Sequence, residues 1–222
     1  MFANRKGDNV DINDIPNTKQ YKELIMHYEA GLNLALNIIN VLLKEREFYT
    51  GEKITDHIKS RIKTFASATE KLKKKGYAID CANIEKHVHD MIGIRIICPL
   101  LNDVYKVVKM IRKNDVMTIL EEKDYITNPK ASGYTSYHLL VRIPVSFLNK
   151  TKDIELEIQV RTLAQDFWAS EEHMISYKFD GLVPDEIKNE LKTIAEDMIR
   201  LDNKMVELSE FMKDYKEKEE DY

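Results

Sequence analysis

A chain of 222 residues with 43% hydrophobic and 32% charged side chains can bury a core and is too apolar to be disordered. A formal net charge of −4 excludes a whole-chain basic field for gripping duplex nucleic acid, so an anionic substrate must meet a local cluster of cations. No apolar run approaches the roughly 18–20 residues that cross a bilayer. Cys81 and Cys98 form neither a metal spacing nor a disulfide framework, no signal peptide stands in front, and a cytoplasmic location is expected.

Residues 1–19 are polar and punctuated (Gly7, Asp8, Asn9, Pro16, Asn17) and read as a flexible arm. From about 20 to 48, Tyr21, Leu24, Tyr28, Leu32, Leu36, Ile39 and Leu43 recur at helical spacing and predict one long amphipathic helix. A second helix is predicted over 56–75, stopping at Gly76, a natural residue for the position after a helix end. Arg61 and Lys71 would lie on nearly the same side of it, since ten residues make about 2.8 turns. Lys71, Lys73, Lys74 and Lys75 crowd its last turn, where the helix dipole alone favours cations.

The middle changes character. Residues 91–98 are rich in isoleucine, end at Pro99 and read as a buried strand. Helical spacing returns over 101–113, followed by strands at 116–125, 137–143 and 154–161 and a helix over 162–178. This order argues for an α+β domain, over 20–180, with a mixed sheet covered by helices. The last helix opens at Pro184. Ile187, Leu191, Ile194, Met198, Leu201, Met205, Leu208, Met212 and Tyr215 follow in alternating steps of four and three. A heptad seam that long favours packing against the N-terminal helix, a second subunit, or both, and marks 181–222 as an oligomerisation segment.

Four stretches carry chemistry. Over 154–161, Ile154, Leu156, Ile158 and Val160 share one face and Glu155, Glu157, Gln159 and Arg161 the other. An edge strand with a solvated polar face explains this pattern; so does a polar pocket, because the helix with Phe167 and Trp168 should cover this part of the sheet. Tyr134, Ser136 and His138 share a face if their segment is extended, and a tyrosine there can stack on a base; a plain turn into a strand fits as well. Asp90, entering a strand that carries Arg95, is either a capping residue or a Mg²⁺ ligand. Ser60-Arg61-Ile62-Lys63 with Lys71 is either a solvated basic face or a phosphate grip.

Together these stretches resemble the synthetase domain of the RelA/SpoT family. The matching motifs are Ser60-Arg61-Ile62-Lys63, Glu70-Lys71-Leu72, Asp90-Met91-Ile92-Gly93-Ile94-Arg95, Lys123-Asp124-Tyr125-Ile126 through Pro129-Lys130, Gly133-Tyr134 with Ser136 and His138, and Glu157-Ile158-Gln159-Val160-Arg161-Thr162. The length is similar to that of the small single-domain branch, the alarmone synthetases. The resemblance implies a nucleotidyltransferase-like mixed sheet of about five strands and transfer of the β,γ-pyrophosphate of ATP to the 3′-OH of GDP or GTP. It implies that Arg61 and Arg95 sandwich adenine and that Lys63 and Lys71 hold the ATP phosphates. Asp90 and Glu157 would bind Mg²⁺, with Glu157 also activating the acceptor hydroxyl. Tyr134 would stack on guanine, and Lys123, Lys130, Ser136, His138, Gln159 and Arg161 would surround the acceptor.

Ser132 stands where the family usually has Asn, Thr135 where it has Arg, and Glu121 where bifunctional relatives have Arg, which leaves the acceptor open. The resemblance also implies a homo-oligomer, a tetramer above all, and single-stranded RNA as a possible regulator. Two other readings are a toxin-type pyrophosphokinase acting on the tRNA 3′ end or adenine nucleotides, and a non-catalytic nucleotide- or RNA-binding oligomer.

Overall fold

The structure, a computed structural model, describes residues 12–179 and 181–220. Its elements are α1 (Lys19–Thr50), β1 (His57–Ile62), α2 (Phe65–Lys75), α3 (Cys81–His87), β2 (Ile92–Cys98), α4 (Leu101–Arg112), β3 (Thr118–Asp124), β4 (Tyr137–Ser146), β5 (Thr151–Thr162), α5 (Leu163–Lys178) and α6 (Asp185–Glu220). The five strands form one sheet in the order β1-β2-β5-β4-β3. β2 and β5 run parallel and the other neighbours antiparallel, so the sheet is mixed, as the alternation of strands and helices predicts.

Alternation along the strands decides which face is covered. Ile92, Ile94 and Ile96 of β2, Leu139, Val141 and Ile143 of β4 and Ile154, Leu156, Ile158 and Val160 of β5 are buried in one cluster. The same cluster takes Tyr21, Leu24, Tyr28, Ala35 and Ile39 from α1 and Val104, Val107, Val108 and Ile111 from α4. Each such aliphatic side chain contributes about 1.5–3 kcal/mol by leaving water. Gly31 lets α1 lie close on the sheet, because a Cβ there would stand 2.6 Å from Ile154 Cγ2. The opposite face of the central strands therefore carries Arg95, Glu157, Gln159 and His138.

The expected helix over 56–75 is two elements. Residues 57–62 form the edge strand β1, and α2 starts only after Thr64, whose hydroxyl accepts from Ser67 N. Ile58 and Ile62 are four apart, a spacing that fits both a helix face and a strand face, and pairing with β2 decides for the strand. Arg61 and Lys71 thus sit on different elements. The seven-residue α3 is too short to show a period and is absent from the sequence reading. Of the expected arm, residues 1–11 lie outside the described residues; Ile12–Asn17 form a 3-10 turn, and Ile15 is buried in the core cluster.

Helix α6 packs on α5 and α4, and its heptad seam is covered at its N-terminal end, where Ile187 and Leu191 join the cluster around Trp168. Leu191, Ala195 and Asp202 are buried, whereas Ile194, Leu201, Met205, Leu208, Met212 and Tyr215 stay exposed. Trp168 Nε1 donates to Leu191 O at 2.7 Å and Thr162 Oγ1 to Asp202 at 2.7 Å, fastening α6 to the start of α5. Among the described residues, no helix is long and apolar enough to cross a membrane.

Candidate active site

Strand register sets residues far apart in sequence side by side on the open face. One row runs Arg61, Gly93, Glu157, Leu140; the next runs Lys59, Arg95, Gln159, His138, Lys123. Cross-strand partners on one face stand about 4.5–5.5 Å apart. A chain with no overall positive charge thereby concentrates cations around two carboxylates.

A cleft of about 190 Å³ is lined by Lys59, Ser60, Arg61, Asp90, Gly93, Ile94, Arg95, Glu157 and Gln159. Gly93 lies between Arg61 and Glu157 and keeps its floor clear: a Cβ there would meet only Arg61 Cγ, at 3.8 Å. Asp90 stands before β2 and takes Lys63 Nζ at 2.6 Å and Lys71 Nζ at 2.8 Å. Burial pushes its carboxyl up, but the two lysines outweigh this and hold it below the ordinary aspartate range. Glu157 follows the same logic. Burial raises its pKa, the bond and charge of His138 and the bond from Gln159 lower it more, and Asp90 is near enough to push it back up. Both carboxylates thus face one cleft and feel each other.

Asp166, in the first turn of α5, carries no role among the expected site residues. It receives Arg95 Nη1 at 2.9 Å, Lys59 Nζ at 3.1 Å and Arg161 Nη1 at 3.5 Å. Burial pushes its carboxyl up, and the Lys59 bond with the charges of Arg95, Lys59 and Arg161 holds it low. It ties cations from β1, β2 and β5 into one wall. Its local signal is an acid in a helix's first turn, which the dipole explains without any partner. Lys59 was missed with it, because on a helix it would not have shared a face with Arg61.

On the other side of Glu157 lies an aromatic group. Tyr134 follows Gly133, whose φ of 91° and whose closeness to Ala195 (2.6 Å from a would-be Cβ to Ala195 Cβ) leave room for glycine alone. Tyr134 packs with Trp168, Leu191 and Ala195, so α5 and α6 back it. Lys130 Nζ lies 4.7 Å from the ring centroids of both Tyr134 and Tyr125. Lys123 is ion-paired with Glu121 at 3.0 Å, and His138 lies between Tyr134 and Glu157.

Two of the residues expected around the acceptor are buried. Ser136 is 0% exposed and Arg161 3% exposed. Ser136 Oγ accepts from Arg161 Nε at 3.2 Å, and Arg161 Nη2 donates to Tyr134 Oη at 2.5 Å and to Gln159 Oε1 at 2.6 Å. Both sit beneath the residues that meet the cleft, because shared parity along a strand fixes a side, not a depth. Thr135 is buried too.

The donor set suits a hard divalent cation: two carboxylates in one cleft, with oxygens as the only first-choice ligands. Among the described residues no three His, Cys, Asp or Glu gather into a closed cage. A cation held by Asp90 and Glu157 would need further oxygens, and substrate phosphates carry them.

Residues 60–181 match the sequence model of a region found in RelA / SpoT proteins. The GTP pyrophosphokinase YwaC of Bacillus subtilis is 38% identical over 188 residues, covering 85% of this chain and 90% of that protein. Among solved structures, small alarmone synthetase 2 from B. subtilis superposes with a TM-score of 0.79 at 37% identity, covering 86% of this chain and 99% of that one. Small alarmone synthetase 1 from B. subtilis, bound to its product pppGpp, superposes with a TM-score of 0.79 at 31% identity, covering 86% and 97%. With the family's sequence model matching over half of it and relatives alike in sequence and fold over most of its length, the chain belongs to the RelA/SpoT family.

Proposed function

We propose that this chain is a (p)ppGpp synthetase, moving the β,γ-pyrophosphate of ATP to the 3′-OH of GDP or GTP with release of AMP. The observation that carries this reading is the pair Asp90 and Glu157 in one cleft, with arginines on one flank and the Tyr134 aromatic group on the other. The pppGpp in the related solved structure supports the acceptor class.

Arg61 and Arg95 are diagonal neighbours on adjacent strands, about 7–8 Å apart at Cα. That is twice a van der Waals separation of about 3.5–4 Å, so one flat adenine fits between two guanidinium planes. Lys63 and Lys71, now on Asp90, lie where phosphate oxygens would compete for them. Mg²⁺, held by Asp90 and Glu157, would neutralise charge on the phosphates and complete its shell with their oxygens. Glu157, its carboxylate kept ionised, takes the 3′-hydroxyl proton as that oxygen attacks the β-phosphorus; the bond from the β-phosphorus to the α–β bridging oxygen breaks and AMP leaves. Lys123 and Lys130 meet the acceptor phosphates, and Arg161 and Ser136 fix the residues that do so.

Tyr134 is the guanine platform. Stacking on a base is worth about 1–3 kcal/mol, so Tyr134→Ala should raise the acceptor KM roughly 5- to 150-fold and shift the ATP KM far less. An equal loss for both nucleotides would speak against a guanine seat. The reaction class is tested by chromatography after incubation with ATP, Mg²⁺ and each of GDP, GTP, AMP and bulk tRNA. AMP release with GDP or GTP alone is expected. Consumption of ATP only with tRNA or AMP would move the chain to the toxin-type reading, and no AMP with any acceptor would make it a binding protein.

The exposed seam Ile194, Leu201, Met205, Leu208, Met212 and Tyr215 is assigned to contacts with further copies of this chain, in a homo-oligomer for which a tetramer is favoured. A monomer at micromolar concentration in light scattering would contradict this.

A further inference from the structure

Five side chains, Glu157 among them, close a hydrogen-bonded ring between a guanidinium and a carboxylate. Arg161 has donors only, and Glu157, ionised, has acceptors only. One arm runs from Arg161 Nη2 to Tyr134 Oη at 2.5 Å, from Tyr134 Oη to His138 Nε2 at 2.8 Å and from His138 Nδ1 to Glu157 Oε1 at 3.0 Å. The other runs from Arg161 Nη2 to Gln159 Oε1 at 2.6 Å and from Gln159 Nε2 to Glu157 Oε2 at 2.7 Å. The guanidinium can only give, and the tyrosine hydroxyl joins it to Nε2, with the direction of that bond set by the imidazole's tautomer. The ionised carboxylate can only accept, so His138 Nδ1 carries a hydrogen facing it. Each oxygen of Glu157 receives one bond, which fixes both the rotamer and the plane of the carboxylate.

Arg161 is itself anchored on two further sides. Nε donates to the buried Ser136 and Nη1 to Asp166, and the side chain is buried. The source of the ring is therefore rigid. The Tyr134 ring is held in turn by Trp168, Leu191 and Ala195. A tyrosine that served only as a stacking surface would have no need of its hydroxyl, and phenylalanine would do as well.

We propose that the Tyr134 hydroxyl is a positioning group for the general base: through His138 it holds the Glu157 carboxylate in its attacking orientation, so that the guanine seat and the base form one hydrogen-bonded unit. This rests on the reading of Glu157 as the base. A guanine settling on the Tyr134 ring would then brace the hydroxyl, and with it the carboxylate, at the moment the ribose arrives. Acceptor recognition would thereby raise turnover as well as binding, the signature of binding energy spent in the transition state.

The test is a double-mutant cycle in kcat and acceptor KM with Tyr134→Phe, His138→Asn and both together, beside Glu157→Gln. Asparagine keeps an amide donor near Glu157 and removes Nε2, so it cuts the same link from the other side. Tyr134→Phe is expected to lower kcat on the order of ten-fold, with the acceptor KM within about two-fold, and to add nothing once His138→Asn is present. Trp168, the one tryptophan of the chain, packs with Tyr134, and its fluorescence and melting curve confirm that each variant is folded. Should Tyr134→Phe prove less stable, the His138→Asn background supplies the same comparison.

An unchanged kcat in Tyr134→Phe, a raised acceptor KM at constant kcat, or fully additive losses would each overturn the proposal while leaving Glu157 as the base. Near-normal turnover by Glu157→Gln would instead remove the reading on which it stands.

Discussion

Glu157→Gln should lose at least about 10³-fold in kcat, because one substitution removes an acceptor for the 3′-hydroxyl proton and an anionic ligand for the cation. The amide is nearly the same shape, so nucleotide binding should change little. Its effect on the surrounding bonds is also readable. The new NH₂ would face either His138 Nδ1 or Gln159 Nε2, both of which donate to the carboxylate now. Gln159 cannot turn over to accept, since its Oε1 takes the Arg161 guanidinium. One hydrogen bond is lost, costing about 1 kcal/mol, a small shift in melting temperature beside the loss of turnover. Single-turnover measurement at saturating nucleotides separates the two effects. A rate near that of the parent protein would remove Glu157 from the reaction.

Asp90→Asn should lower kcat by about 10²–10³-fold, the size of one lost electrostatic contact to the reacting phosphates. Its effect on ATP binding should be smaller than its effect on rate. Asp90 occupies both Lys63 and Lys71, at 2.6 and 2.8 Å, and the substitution releases those lysines to phosphate oxygens. The ATP KM should therefore stay within a few-fold while turnover collapses. The stability cost is modest, because Lys71 is partly exposed and water can take the place of the carboxylate for it. A loss confined to the ATP KM, with kcat intact, would make Asp90 a holder of lysines and no more.

Much of this site is legible in the residues. The strands β2, β4 and β5 show themselves because one face of each is aliphatic without interruption, and the alternate positions then name Arg95, His138, Glu157 and Gln159 together. What register does with them is not legible: that Glu157 lies beside Gly93 and Gln159 beside Arg95 comes from the parallel pairing of β2 and β5. β1 is misread as helix because Ile58 and Ile62 satisfy both periods, and that error hides Lys59. Asp166 is hidden for a different reason. Its partners come from three strands, and no local pattern announces an ion pair separated by 71 or 107 residues. Ser136 and Arg161 lie on the expected side of the sheet but below its surface, a depth that only the packing of α5 and α6 creates.

The seam on α6 shows how one helix serves two surfaces. Its buried stripe of Leu191, Ala195 and Asp202 supports the segment carrying Gly133 and Tyr134, and its exposed stripe offers the heptad positions. The periodicity of 3.5 finds the exposed stripe together with Leu191 and is blind to Ala195 and Asp202.

In the proposed reaction two carboxylates share one divalent ion. Titration of the full chain with Mn²⁺ and a non-transferable ATP analogue, followed by electron paramagnetic resonance, reads this directly. One ion per chain should be held by the protein–analogue complex, and at least about 10-fold more weakly after either Asp90→Asn or Glu157→Gln. Unaltered Mn²⁺ binding in both variants would contradict it.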